Sequence, residues 1–271
     1  MIVKIKDFMQ ELYDWTDNDA SHYNVTCDTI KAGDPEQELK KIAVTMFPTP
    51  DVIRQAEAWG ANLLIVHEPT FYDHWDSYET MEKTTGFKRQ ILDMKRKFIA
   101  DHNMTIYRYH DHPHYRVPDM ISEGMMRDAG LDGVWSRGSF YGVSRFELNE
   151  PMNLQDLVST LEKNWNIQRI RIVGANNQPV RKLSLCFGTP GHLEDELGEC
   201  DVVLTGEIVE WMTGEFAKDC TQMGIPKTVL VMGHACSERN GMMLLADLIP
   251  QHWSNFDVRY FESGDCYTFG K

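Results

Sequence analysis

The amino-acid sequence predicts an α/β fold, because short β-branched apolar segments alternate with longer amphipathic segments along the chain. Strands that are connected through helices run parallel, so we expect largely parallel sheets. A turn-rich stretch at 132–139 divides the alternating pattern into two parts. The clearest strands fall at 41–47, 62–67, 104–110, 201–206 and 227–234.

The first helix of this pattern is placed by its end signals. Residues 49–61 read TPDVIRQAEAWGA, with Thr49 as the expected N-cap and Pro50 at the first helical position. Gly60 is the expected terminator. This helix joins the strands at 41–47 and 62–67 into a compact strand, helix, strand unit.

The second part of the chain contains another set of predicted elements. We expect a strand at 140–148, a helix at 154–164 and strands at 168–173 and 182–187. The chain therefore predicts two closely packed α/β lobes, an N-terminal lobe at 1–139 and a C-terminal lobe at 140–271.

Composition limits the classes of function. The chain has 27 Lys and Arg residues against 41 Asp and Glu residues, a formal net charge of −14. Because this charge repels phosphate groups at long range, we expect no nucleic-acid partner and no membrane partner.

The six cysteines are scattered without a CxxC pair, which indicates reduced and mostly buried thiols. We find no secretory signal pattern and no apolar run of about 20 residues, so we expect a cytoplasmic protein.

Potential metal ligands follow several of the predicted strands. Open α/β sheets bind ligands beyond the carboxyl ends of their strands. Imidazoles and carboxylates without nearby thiol pairs suit zinc, iron, manganese or nickel. The residues at these ends are His67, Glu68, His110, His112, His114, Glu207, His234 and Glu238. Two pairs among them, His110 with His114 and His234 with Glu238, have the i, i+4 spacing that would place both members on one helix face.

Each of these residues also has a simpler explanation. A lone histidine at a strand end is more often a core or surface residue than a ligand. Glu68 could be a solvated loop carboxylate, and Glu207 could cap the helix that follows it. We expect His112 to be exposed and Cys236 to be a small buried thiol rather than a nucleophile. Arg239 could contact an anionic substrate, but it is more simply a surface arginine. The joint occurrence of ligand types at three strand ends favours a metal site.

The same strand ends carry a resemblance to a known family. The segments are IVHEPTFY at 65–72, YRYHDHPH at 107–114, LTGEIVEW at 204–211 and GHACSERNG at 233–241. Their order and approximate spacing resemble those of the Nif-three-like proteins, homologues of GTP cyclohydrolase one, type two. The resemblance implies a two-lobed α/β fold in which each lobe is a mixed sheet flanked by helices. It also implies a homo-oligomer, a toroidal hexamer, with a dinuclear metal centre in each subunit.

The resemblance further implies a set of ligands. The family's three ligand pairs fall on His67 with Glu68, His110 with His114, and His234 with Glu238. Glu68 stands where the family usually has a second histidine, and His114 where it has a bridging aspartate. A carboxylate can bridge two ions, whereas a neutral imidazole normally binds one. Either Glu68 has taken over the bridging role or the site holds a single ion.

Two hypotheses for function follow. The first is a metal-dependent hydrolase of a small nucleotide or heterocyclic substrate, with two divalent ions, Zn, Fe or Mn, as cofactors. In this hypothesis Glu207 and His110 orient ligands or transfer protons. The metal ligands are His67, Glu68, His114, His234 and Glu238. The second hypothesis is a noncatalytic protein that stores or delivers metal, or a regulatory scaffold. The sequence shows no P-loop and no GxGxxG pattern, so a nucleotide would have to bind through metal and loops.

Overall fold

The computed structural model describes residues 3–16, 25–116 and 118–268, apart from the side chain of Tyr78. These residues form two compact units. The first unit contains 3–116 and 242–263, and the second contains 118–241 and 264–268. No helix in these ranges is both long enough and apolar enough to cross a membrane.

Helices and strands alternate through most of the chain. The helices are α1 Ile5–Thr16, α2 Pro50–Trp59, α3 Tyr78–Lys83, α4 Gly86–Asp101, α5 Asp111–Tyr115, α6 Met120–Ala129, α7 Leu154–Asn164, α8 Glu194–Glu199, α9 Glu215–Gln222 and α10 His234–His252. The strands are β1 Ile30–Ala32, β2 Ile42–Thr45, β3 Leu63–Val66, β4 Thr105–Arg108, β5 Gly133–Arg137, β6 Ser144–Asn153, β7 Arg171–Gly174, β8 Pro179–Cys186, β9 Val202–Thr205, β10 Thr228–Val231 and β11 Val258–Tyr260. A π-helical turn, Glu210–Gly214, precedes α9.

The first unit is built on a five-stranded sheet with the order β1-β4-β3-β2-β11. All neighbours in it are parallel except β1, which pairs antiparallel with β4 at the edge. Every residue of β2, β3 and β4 is buried, as expected of strands covered on both faces. Val66 pairs with Arg108, so the residues that follow β3 and β4 leave the sheet side by side.

The second unit is built on a six-stranded sheet with the order β5-β6-β8-β9-β10-β7. The central strands β8, β9 and β10 are parallel, whereas β5, β6 and β7 join through antiparallel pairs. Thr205 pairs with both Cys186 and Val231, so the segments after β8, β9 and β10 emerge at one edge. The predicted α/β class is confirmed, and both sheets are mixed.

The predicted helix between the first two strands is confirmed together with its end signals. The Thr49 side chain accepts a hydrogen bond from the Val52 amide, and Pro50 occupies the first turn. Gly60 ends α2 with φ of 94°, in the left-handed region. The helix expected at 154–164 is also present, as α7.

The division between the two units differs in position from the lobe boundary expected at 139/140. In the structure the first unit is interrupted after Arg116, and 242–263 return to it. Residues on both sides of position 139 belong to one sheet, since Trp135 of β5 pairs with Phe146 of β6. The turn-rich stretch at 132–139 is therefore a strand and hairpin connection inside the second unit.

Two glycines allow α6 and α10 to approach closely within the second unit. A Cβ atom on Gly124 would lie 2.4 Å from the Asn240 carbonyl oxygen and 2.5 Å from the Gly241 Cα. A Cβ atom on Gly241 would lie 2.5 Å from the Ile121 Cα. The contact joins backbone to backbone, and it fixes the part of α10 that begins at His234.

Replacing Gly124 with alanine should therefore destabilise the protein. Because the added methyl group meets backbone atoms, we expect Gly124→Ala to lower the free energy of unfolding by about 1–3 kcal/mol, as overpacking does. Urea denaturation measures the change. Gly198→Ala in α8 is the matched control, since nothing lies within 4 Å of its added Cβ. Equal stabilities for Gly124→Ala and Gly198→Ala would contradict the close contact.

Candidate metal centre

The first candidate ligand, His67, directly follows the buried strand β3. Its side chain is fully buried, and its ring Nδ1 lies 3.3 Å from the Tyr109 carbonyl oxygen. A carbonyl oxygen only accepts hydrogen bonds, so Nδ1 carries the proton. The lone pair of the ring is then on Nε2, which is the form in which a neutral imidazole binds metal.

Three imidazole rings meet in the first unit. The ring centroids of His67 and His110 are 4.5 Å apart, and those of His67 and His114 are 5.2 Å apart. The His110 and His114 centroids are separated by 5.0 Å. One ring nitrogen of each lies within 4.8 Å of the others. The short helix α5 explains this arrangement, because its single turn brings His110 and His114 to one face.

Asp111 orients the His110 ring. The His110 Nδ1 donates to the Asp111 carboxylate at 3.0 Å. Burial alone would raise the pKa of Asp111, but hydrogen bonds from His110, the Cys27 amide and the Thr26 hydroxyl hold it well below its usual range. Burial and the neighbouring His67 lower the pKa of His110. The pair is thus an ionised carboxylate beside a neutral imidazole, the usual arrangement behind a histidine ligand.

Asp28 holds the backbone of the same turn. Its carboxylate accepts hydrogen bonds from the amides of His110, Asp111 and His112 at 2.7, 2.8 and 2.9 Å. It also accepts one from His112 Nδ1 at 2.5 Å. Although burial would raise the pKa of Asp28, hydrogen bonds from the His112 side chain and from the His112 and Asp111 amides lower it. The start of α5 is therefore capped by an ionised side chain more than 80 residues away in the sequence.

His112 was expected to be exposed, and this prediction is wrong. Its side chain is 1% exposed, and its ring lies 3.9 Å from the Tyr13 ring, centroid to centroid. The hydrogen bond to Asp28 satisfies Nδ1 inside the unit, so burial of this polar ring is tolerated. His112 thus supports the turn through Asp28.

Glu68 is buried beside a buried cation. The structure excludes a solvated loop carboxylate, since Glu68 is only 6% exposed. Its Oε2 lies 3.7 Å from Arg108 Nη2, and its Oε1 lies 4.0 Å from His110 Nε2. Arg108 Nε in turn donates to the His67 carbonyl oxygen at 2.9 Å. Arg108 therefore offsets the charge of Glu68 and fixes the backbone of His67 at the same time.

The second unit brings three predicted residues together. His234, at the start of α10, donates from Nδ1 to Glu207 Oε1 at 2.7 Å. Its Nε2 lies 3.2 Å from Glu238 Oε2, one helical turn further on. Glu207 does not cap the helix that follows it, since the N-cap of the π-helical turn is Val209. The structure thus places Glu207 behind His234, where it can orient the ring.

Two glycines make room for this group. Gly188 follows β8 with φ of +69°, and a Cβ atom on it would lie 2.3 Å from Glu238 Oε1. A Cβ atom on Gly206 would lie 3.0 Å from the His234 Cα. The Gly188 carbonyl oxygen accepts hydrogen bonds from the Gly206 and Glu207 amides, both at 3.0 Å. A small residue at each position is needed for the loops to close around Glu238.

The donor chemistry of both groups fits a divalent transition metal. Zinc and iron bind imidazole nitrogens well, and the first unit offers three of them close together, on His67, His110 and His114. Two ligand atoms bound to a tetrahedral ion at about 2.0–2.2 Å lie about 3.4 Å apart. The separation of 3.2 Å between the His234 and Glu238 ligand atoms is close to that value.

A different set, Cys27, His110 and Asp111, also has ligand atoms close together. Burial raises the pKa of the Cys27 thiol far above its usual range, and Cys27 Sγ donates to Asp111 Oδ1 at 3.4 Å. A protonated thiol is a poor metal ligand. The three-histidine set is therefore the better metal site in the first unit.

Three residues that support the site, Asp111, Arg108 and Asp28, are not among those predicted from the sequence. Asp111 lies inside the HDHPH segment, so its position next to His110 was a usable signal. Arg108 precedes the same segment, but nothing in its sequence context indicates burial. Nothing in the sequence around Asp28 indicates its role, because its contacts are with residues far along the chain.

Comparison with known proteins supports the α/β fold described above. The model of the Duf34/NIF3 (NGG1p interacting factor 3) family matches residues 3–265. A Clostridium perfringens protein called GTP cyclohydrolase 1 type 2 homolog is 22% identical over 249 residues, covering 88% of this chain and 87% of that protein. The solved structure of protein ybgI, of unknown function, superposes with a TM-score of 0.77 at 18% identity, over 98% of this chain and 100% of the other. A Bacillus cereus protein related to NIF3 superposes with a TM-score of 0.72 at 13% identity, over 100% of both chains.

Removing the charge of Asp28 should loosen the turn that carries the histidines. Asp28→Asn places an amide group where four donors now point at a carboxylate. We expect the free energy of unfolding to fall by about 1.5–3 kcal/mol, the usual size for hydrogen bonds to a charged group. Urea denaturation at pH 7 measures it.

Asp34→Asn is the matched control for this change. Asp34 is exposed, and its carboxylate accepts one hydrogen bond from the Glu36 amide at 2.9 Å. The same substitution at Asp34 should lower the free energy of unfolding much less. If Asp28→Asn proves as stable as Asp34→Asn, the turn does not depend on the Asp28 charge.

Proposed function

The chain belongs to the Duf34/NIF3 family, and we propose that it is a metal-dependent hydrolase of a small substrate. The observation that carries this proposal is the convergence of His67, His110 and His114, whose ligand nitrogens lie within 4.8 Å of one another. A hydrolytic metal site needs neutral nitrogen ligands on a rigid support and room for water. The buried ends of β3 and β4 supply that support.

We assign the ligands in two sets. In the first unit, His67, His110 and His114 would hold one ion, with Glu68 as the neighbouring carboxylate. This assignment gives His110 a ligand role in place of the orienting role expected from the sequence, because Asp111 accepts from Nδ1 and leaves Nε2 for metal. In the second unit, His234 and Glu238 would hold a second ion.

Bound divalent ions would lower the pKa of a coordinated water towards 7 and stabilise negative charge on the substrate. The protein groups around the sites orient the ligands. Glu207 orients His234 through Nδ1 and is 47% exposed. We assign proton transfer to Glu207, since a carboxylate that exchanges protons with solvent must be accessible.

The choice of a small substrate rests on charge and on the names of relatives. A net charge of −14 disfavours a polyanion such as RNA or DNA. The Clostridium perfringens relative carries the name GTP cyclohydrolase 1 type 2 homolog, which makes a nucleotide or another heterocycle the first class to test. Assembly into a homo-oligomer, which the family resemblance implies, is part of the same proposal.

Loss of the histidine cluster should remove metal. We expect His67→Ala, His110→Ala and His114→Ala each to lower bound Zn, Fe or Mn by about one ion per chain, since each removes a nitrogen ligand from the same set. Elemental analysis of purified protein measures bound metal. His192→Ala is the matched control, because its side chain is 84% exposed and outside both sets. Metal content that is unchanged in all three variants would rule out the cluster as the site.

Replacing Glu238 by its amide should strongly reduce turnover without unfolding the protein. Glu238→Gln keeps the shape beside Gly188 but removes the charge, so we expect kcat/KM to fall by at least about 100-fold, the upper range for losing a residue that only orients a metal ligand. The measurement is hydrolysis of a panel of nucleotides and heterocyclic phosphates by the wild type and the variant.

Glu150→Gln, an exposed position in the same unit, controls for the substitution itself. If the wild type turns over a substrate and Glu238→Gln keeps the full rate, the assignment of Glu238 as a metal ligand is contradicted. Stoichiometric metal with no turnover of any substrate by the wild type would favour the storage or delivery hypothesis instead.

A further inference from the structure

A cavity of about 300 Å³ lies in the second unit. Its wall is formed by the segment before and at the start of β7, the end of β10, the first turns of α10 and the segment 265–268. Three arginines line it, Arg169, Arg171 and Arg239. Asp265 is the one carboxylate among the lining residues.

The charge of this cavity is opposite to that of the chain. Three arginines and one aspartate give the lining a formal charge of +2, whereas the chain carries −14. Other arginines of the second unit are neutralised by acids, as Arg145 is by Glu196 and Arg181 by Glu147. Within the described part of the chain, neither Arg169 nor Arg171 has an ion-pair partner within 4.0 Å. Positive charge is thus concentrated at this cavity.

The lining groups are held in place by neighbours. Arg239 donates from Nη2 to the carbonyl oxygens of Trp165 and Asn166, the latter at 3.0 Å. The guanidinium of Arg171 lies 6.0 Å from the centre of the Tyr267 ring. The carboxylate of Asp265 accepts from the Cys236 thiol at 3.3 Å and from the Tyr267 amide at 3.1 Å. These contacts anchor Arg239, and they occupy both carboxylate oxygens of Asp265.

The cavity is separate from the candidate metal ligands of the second unit. Successive residues of a helix are rotated by about 100°, so His234 and Glu238 lie on one face of α10. By the same rotation Cys236 and Arg239 lie roughly 150° away, on the opposite face. A molecule in the cavity would contact the helix on the side that does not carry these ligands.

We propose that this cavity binds a small phosphorylated molecule. Guanidinium groups match the oxygens of a phosphate in charge and geometry, and three of them favour a dianion over a monocarboxylate. The volume is at the lower end of the range for small-molecule sites, which excludes a large ligand. The proposal does not depend on metal or on hydrolysis.

Isothermal titration of the full-length, metal-loaded protein with inorganic phosphate tests this site. We expect Arg169→Gln and Arg171→Gln each to weaken phosphate binding by about tenfold, since each removes a charged hydrogen-bond donor. Both side chains are exposed, so the fold should be kept, and the thermal unfolding midpoint checks this. Arg181→Gln, an exposed arginine of the same unit outside the cavity, should bind phosphate like the wild type.

A further variant separates this site from the metal ligands of the first unit. His67→Ala lies in the other unit, and its phosphate binding should be unchanged if phosphate occupies the arginine cavity. Binding that is lost in His67→Ala but kept in Arg169→Gln and Arg171→Gln would place the phosphate on metal and overturn the proposal. Acetate that binds as tightly as phosphate, or an equal loss in Arg181→Gln, would overturn it as well.

Discussion

The buried carboxylate of Asp28 is the constraint on which the candidate site of the first unit depends. It accepts hydrogen bonds from three successive amides and from the His112 ring, which fixes the turn between β4 and α5. With that turn fixed, His110 and His114 point to the same side and meet His67 at the end of the adjacent strand. Burying a carboxylate is costly unless it is fully hydrogen-bonded, and here the amides and the imidazole offset the cost.

The two units reach similar chemistry by different local means. In the first, ionised aspartates support histidines from behind, and the buried Arg108 offsets the charge of Glu68. In the second, the carboxylate behind His234 is that of the partly exposed Glu207, and Gly188 and Gly206 let backbone approach Glu238 and His234 closely. Both groups follow parallel strands, where side chains from separate segments reach one edge of a sheet. The arginine-lined cavity lies against the opposite face of α10, so one helix borders two separate candidate sites.

The sequence predicted the features that depend on local patterns. The α/β class, α2 with Thr49 and Gly60 at its ends, and the positions of His67 and His234 after strands all follow from short segments. Features that depend on distant contacts were not predictable. Asp28 reaches the histidine turn only through folding, and the same contact buries His112 against expectation. The bounds of the two units also depend on distant contacts. Strand β5 pairs with β6 inside the second unit, and residues 242–263 return to the first unit.

Anomalous X-ray diffraction from crystals of metal-loaded protein, collected at the absorption edge of the metal, tests the central claim most directly. We expect an anomalous peak about 2.0–2.2 Å from one ring nitrogen of each of His67, His110 and His114. A peak bound to Cys27 and Asp111 instead, or no peak at these histidines in protein that contains stoichiometric metal, would contradict it.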